Sequence, residues 1–178
     1  KERRKLLKDF GLSIYRPKRP GSFWVRTTAL GSYREVGRAC HLVTSNESRV
    51  MIDVGVNIAS DTDPMPYFTA PEALPMEKMD AVILTHAHLD HAGMLPVLFR
   101  YGYRGPVYCT PPTRDMMLLL QSDYLKVGGS EGKRAPYDME DIRTCMRHVI
   151  DVDWGQTVDI APDMKLTFHN AGHILGSS

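Results

Sequence analysis

The chain has 178 residues, 43% of them hydrophobic, which suffices for one domain with its own core. A formal net charge of +1 names no partner, and no apolar run approaches the roughly 20 residues of a membrane-crossing helix. Three cysteines without close pairing (Cys40, Cys109, Cys145) speak against a disulfide framework and for a reducing, cytoplasmic compartment.

Charge is unevenly spread along the chain. Residues 1–19 hold eight Lys or Arg against Glu2 and Asp9, a net +6, while the remainder carries −5. Such a basic arm can touch nucleic acid, although charge alone favours the plainer reading of a solvated linker or helix end. Residues 1–8 read as the end of a helix stopped at Gly11, and Pro17 and Pro20 mark a linker. We therefore divide the chain into an arm, 1–21, and a domain, 22–178. It begins on Lys1 rather than Met and no signal peptide opens it, so a segment cut from a longer protein is expected.

Strand patterns follow at 23–30, 39–44 and 49–54, with a turn at Asn46-Glu47-Ser48, so the sheet is expected to start antiparallel. Asp53 closes the third pattern, where an Asp is ordinarily a turn former. Residues 59–78 form a long Pro-rich loop, and loops of that length in a compact domain are often functional. The apolar run 81–84 reads as a buried strand, and 92–101 as a short helix with Pro96 in its first turn. A strand is predicted at 106–110, then a helix capped by Thr113 and stopped by Gly128-Gly129. A second helix is capped by Asp138, and strands follow near 149–153, 157–160 and 164–169.

Between the strand at 81–84 and its helix lies His86-Ala87-His88-Leu89-Asp90-His91. Three imidazoles and a carboxylate within six residues, on a strand-to-helix loop, are the donors that zinc-type ions prefer. Chance placement of H-x-H-x-D-H in a chain of this composition has a probability of about one in a thousand. The bland alternative, a polar loop whose histidines bond one another and solvent, is outweighed. His173 leaves the last strand through Asn170-Ala171-Gly172 and can be carried to the same ion. His41, His148 and His169 lack ligand spacing and read as structural, with His169 also able to orient a neighbouring ligand.

Asp53, His86-x-His88-x-Asp90-His91 and His173 together resemble the first three signature motifs of the metallo-β-lactamase superfamily. Residues 31–38 (GSYREVGR) and 170–177 (NAGHILGS) resemble its β-CASP branch of nucleic-acid-processing nucleases. Within that branch the likeness is nearest to archaeal homologues of the cleavage and polyadenylation specificity factor. The resemblance implies an α/β fold, the four-layer αββα sandwich, with about its first half contained in this chain. It implies two zinc ions: His86, His88 and His173 would bind the first, Asp90 and His91 the second. Asp53, Asp90 and His91 would be the catalytic residues, Asp53 orienting the motif loop from behind. Glu35 is read equally as polar support for that loop or as a turn residue. By the same resemblance, RNA is the expected partner, and residues 1–19 would join RNA-binding KH domains to the catalytic domain. Any homodimer would form through parts outside this chain. The branch's metal-bridging Asp and its inserted β-CASP domain lie downstream of His173, so one ion or none is expected here, with weak cleavage.

The expected activity is zinc-dependent hydrolysis of RNA, endonucleolytic with a possible 5′-to-3′ exonucleolytic mode, of the RNA 3′-end-processing and transcription-termination type. Two alternatives stay open: a small-molecule hydrolase of thioester or lactam type, and a scaffold subunit without catalysis. The basic arm and residues 31–38 favour RNA, and the complete ligand set up to His173 disfavours a scaffold.

Overall fold

Apolar side chains alternate along the central strands, and that alternation sets the layers. Met51, Val82, Val107 and Val149 turn toward the helices, while Val50, Ala81, Ile83 and Tyr108 turn the opposite way. A computed structural model describes residues 1–60, 62–130 and 135–178. The main sheet runs β1 (Val25–Gly31), β2 (Cys40–Ser45), β3 (Arg49–Ile52), β4 (Ala81–Ile83), β5 (Val107–Cys109) and β6 (Val149–Asp151), in that spatial order. As the sequence predicts, β1, β2 and β3 pair antiparallel; β3 to β6 are parallel.

Three helices, α3 (Leu95–Arg100), α4 (Pro111–Ser130) and α5 (Met139–His148), belong to the larger core on one face. On the other face lies an antiparallel pair, β7 (Thr157–Ala161) and β8 (Met164–Thr167). Ile160, Leu166 and Phe168 from this pair and its margin close over Val50, Ala81, Ile83 and Tyr108. Among the described residues the layers are thus helix, sheet and sheet, the expected α/β sandwich order.

Several boundaries differ from the sequence reading. The helix expected to stop at Gly11 runs through it as α1 (Glu2–Ile14). An internal glycine costs about 1 kcal/mol, and docking outweighs that here. Phe10 is buried against the His148 ring, while Arg3 donates to the carbonyls of Arg147 (2.7 Å) and Val149 (3.0 Å). Just beyond the helix, Arg16 reaches Asp80 at 2.6 Å and the Glu47 carbonyl at 2.7 Å. The basic segment is laid on the body rather than free of it. Likewise α4 passes through Gly128-Gly129 and starts at Pro111, so Thr113 is not its cap. The helix expected over 92–101 is two helices, α2 (Leu89–Ala92) and α3. Asp138 does cap α5, in a reciprocal box with Asp141.

His148 packs between Phe10 and Phe99. Burial, then the charges of Arg104, Arg147 and Arg3, push its pKa down to about 4, whereas an unfolded His titrates near 6.5. Between those values the unfolded chain holds a proton that the folded chain lacks. The stability this contributes is complete above pH 6.5 and is lost as the pH falls toward 4. We predict that His148→Phe flattens this dependence: its urea midpoint drops less between pH 7 and pH 5 than that of the unsubstituted chain.

Candidate metal centre

Strand β4 is buried on both faces and delivers Thr85, His86 and His88 at its carboxyl end, where ligands gather in parallel sheets. The backbone stays extended at His88 and then coils into α2, so Asp90 and His91 occupy the first turn of that helix. Gln121 of α4 donates to the Ala92 carbonyl at 2.8 Å and ties α2 to the helix layer.

Asp53 follows β3 with a left-handed backbone, φ 60°, which Asp tolerates better than most residues. That turn ends β3 two residues earlier than the sequence pattern and sends a carboxylate, only 4% exposed, toward the end of β4. It accepts from the Thr85 N–H (2.9 Å), the Thr85 hydroxyl (2.9 Å) and His91 Nδ1 (2.8 Å). A carboxylate only accepts, so Nδ1 of His91 carries a proton, and Nε2, 3.6 Å from Asp90 Oδ2, is the nitrogen left to bind an ion once its own proton is released. The Thr85 hydroxyl spends its one hydrogen on Asp53. His86 Nδ1, 2.9 Å from that hydroxyl oxygen, must then be the donor of their hydrogen bond, which leaves Nε2 bare in the neutral His86 ring.

His86 Nε2 lies 3.1 Å from His88 Nδ1, which lies 3.3 Å from His173 Nε2. One ligand atom from each of these histidines falls within 4.8 Å of the others. Ring nitrogens around a tetrahedral zinc, at Zn–N distances of about 2.0–2.1 Å, stand about 3.3 Å apart. The donor set therefore fits a zinc-type cation: one ring nitrogen from each of three histidines converges at the spacing such an ion requires. Burial, then the nearby His91, lower the His86 pKa to about 4 against the pull of Asp53, so the ring is neutral and ready to ligate. Burial also works to lower His91, but the hydrogen bond and charge of Asp53, joined by Asp90, raise it overall.

The loop that carries His173 is built from small residues. Gly172 turns with φ 68° and its N–H is held by Asn170 Oδ1. Ser177 Oγ accepts from the N–H groups of His173 (3.0 Å) and Ile174 (3.2 Å). The Ser178 N–H reaches the Thr85 carbonyl at 2.9 Å, and the Gly176 carbonyl accepts from the Thr110 (2.6 Å) and Thr113 (3.1 Å) hydroxyls.

The structure brings His86, His88 and His173 together and sets Asp53, Asp90 and His91 beside them. His169 is exposed and His148 is buried beneath α1, away from the cluster. Glu35 pairs with Arg38 within the same turn and makes no direct hydrogen bond to the motif loop. Thr85, Arg38 and Ser177 were missed. A Thr directly before the first His is the available sign of the Asp53 partner; Arg38 and Ser177 close the motif segments 31–38 and 170–177, with no sign there of their individual contacts.

Comparison with known proteins agrees with this geometry. The description "Metallo-beta-lactamase superfamily domain" matches residues 42–178. The chain is 55% identical over 178 residues to "Transcription termination factor FttA" of Methanosarcina mazei, covering all of this chain and 28% of that protein. It is 56% identical over 158 residues to the protein of that name from Methanocaldococcus jannaschii, covering 89% of this chain and 25% of the relative. The chain thus spans little more than a quarter of the length of these relatives. Among solved structures, the Rm3 metallo-beta-lactamase superposes with a TM-score of 0.51 at 20% identity, over 93% of this chain and 56% of that one. A B3 metallo-beta-lactamase with an active-site glutamic acid does so with a TM-score of 0.52 at 18% identity, over 96% and 59%. With a histidine cluster at the carboxyl end of the sheet and a match over most of its length, this chain belongs to the metallo-β-lactamase superfamily.

Proposed function

We propose that these residues form part of a β-CASP-type ribonuclease that hydrolyses RNA phosphodiesters with two zinc ions. The cut is endonucleolytic, with 5′-to-3′ exonucleolytic action as a second mode, in RNA 3′-end processing or transcription termination. The convergence of the His86, His88 and His173 nitrogens carries the reading, supported by high identity to archaeal proteins named as termination factors. His86, His88 and His173 would hold one ion; Asp90 and His91 Nε2 would contribute to a second. A nitrogen-rich set with a single carboxylate suits zinc better than magnesium or calcium. Zinc there would supply the positive charge that polarises a phosphodiester and makes water acidic enough to attack it.

The chain's own residues set up that chemistry. Asp53 keeps a proton on His91 Nδ1 and, through Thr85, on His86 Nδ1, so that both Nε2 atoms face the site as the nitrogens an ion would take. Residues 1–21 act as a basic connecting arm to the domain at 22–178. The three buried, unpaired cysteines support a reducing, cytoplasmic setting, and among the described residues no helix is long and apolar enough to cross a membrane. Any homodimer forms through parts outside this chain.

One feature favours a second reading, hydrolysis of a small thioester or lactam. A groove of about 460 Å³ lined by Val36, Val56, Ile58, Leu89 and Leu120 opens beside His88 and Asp90 and would accept an acyl chain. Labelled RNA, a chromogenic lactam and a thioester, offered to the protein at its full natural length, separate the two. We expect cleavage of RNA alone, abolished by His88→Ala; turnover of only the small substrates rejects the ribonuclease. Asp53→Asn, whose amide presents a donor to His91, is expected to weaken metal binding about 10–100-fold.

The isolated chain offers three nitrogens to the first ion and only two side chains to the second. We predict that by elemental analysis it retains at most one zinc, lost in His88→Ala. Two tightly held ions per chain would contradict the assignment.

A further inference from the structure

Four non-glycine residues have positive φ among the described residues, and three lie in one loop: Ser32 (62°), Arg34 (61°) and Arg38 (44°). The fourth is Asp53. Such conformations are costly for residues that carry a Cβ and persist only where surrounding contacts over-determine them. At Arg38 the restraint is its own side chain. The residue is 8% exposed. Its Nε and Nη2 fork onto the Glu35 carboxylate at 2.6 and 3.2 Å. Nη1 meets Asp63 Oδ2 at 2.5 Å and stands 3.3 Å from the carbonyls of Asp63 and Met65. The guanidinium also lies 4.7 Å from the Tyr67 ring centre, with the Tyr67 hydroxyl 3.5 Å from Nη2.

The next residue leads directly to the metal centre. The Ala39 N–H donates to the Asp90 carbonyl at 2.8 Å, and the Ala39 carbonyl accepts from the Gly55 N–H at 2.9 Å. A Cβ at Gly55 would lie 1.6 Å from the Asp90 oxygen, so that carbonyl has no room to move toward Gly55. One peptide separates the restrained Arg38 from the group that fixes the backbone of Asp90. Fold stability is a weak reason for this arrangement, since the Glu35 and Asp63 carboxylates are partly exposed and such ion pairs contribute little. Only a planar guanidinium satisfies two carboxylates and two carbonyls at once; an ammonium has neither the fork nor the donors.

We propose that Arg38 is a positioning residue. Its guanidinium staples residues 31–38 to residues 63–67, and through Ala39 it sets where the Asp90 carboxylate stands relative to His91 Nε2. The inference rests on the two-ion reading above. It assigns Arg38 to the second ion's half of the centre and leaves the His86, His88 and His173 half untouched.

Stepwise cobalt(II) binding to the protein at its full natural length, followed by visible absorption and calorimetry, tests this without any activity assay. Arg38→Lys and Arg38→Gln are expected to leave the first ion's affinity within about twofold and to weaken the second about tenfold or more. Asp63→Ala, which removes that carboxylate and leaves the Glu35 fork in place, is expected to fall between them and the unsubstituted protein. It also serves as the readout if either Arg38 variant fails to fold. Equal weakening of both steps would reduce Arg38 to general structural support, and unchanged affinities would remove its role; either overturns the proposal. So does full rescue by Arg38→Lys. Absence of a second step in the unsubstituted protein overturns the two-ion reading itself, and the inference with it. Failure to cut RNA while two ions bind leaves the inference standing and rejects only the substrate.

Discussion

A buried carboxylate at the end of β3 takes three hydrogens, from the Thr85 N–H, the Thr85 hydroxyl and His91 Nδ1. Everything around the centre depends on that arrangement. Because Asp53 only accepts, Nδ1 is assigned as the donor on two imidazoles, and both rings turn Nε2 to the same space. The left-handed turn at Asp53 is what allows the carboxylate to cross to the neighbouring strand. A residue that continued β3 in extended geometry would place its side chain on one face of the sheet, with no carboxylate behind the motif loop.

The layers explain why this can be held so closely. Strands β3, β4 and β5 are packed on both faces, so their carboxyl ends are fixed relative to one another. Loops that leave those ends inherit that rigidity, and later segments are tied back to them. The Gly176 carbonyl is held by Thr110 and Thr113, and Ser178 by Thr85. The ring of His173 therefore reaches His88 from 85 positions away along the chain. Burial completes the effect by keeping His86 neutral, the form in which an imidazole binds a cation.

Local patterns in the sequence carried a good deal of this. An apolar run followed by alternating histidines is a short-range signal, and the donors it names do meet in space. The Asp138 cap was legible for the same reason, since its partner Asp141 lies within the same turn. What could not be read involves contacts between distant positions. Gly11 and Gly128-Gly129 look like helix stops by intrinsic preference. Yet α1 continues because Phe10 and Arg3 dock on α5 and β6, which no local window contains. Thr113 looks like a cap, but its hydroxyl serves a carbonyl 63 residues downstream. Arg38 sits in a recognisable motif, yet its acceptors at Asp63 and Met65 fall in an irregular loop without periodicity.

On this geometry His86, His88 and His173 enclose one cation. Crystals of the protein grown with zinc, with diffraction data collected on both sides of the zinc absorption edge, test it most directly. An anomalous peak is expected about 2.0–2.1 Å from one nitrogen of each of the three rings. A His173 ring turned away, with no anomalous density among the three side chains, would contradict it.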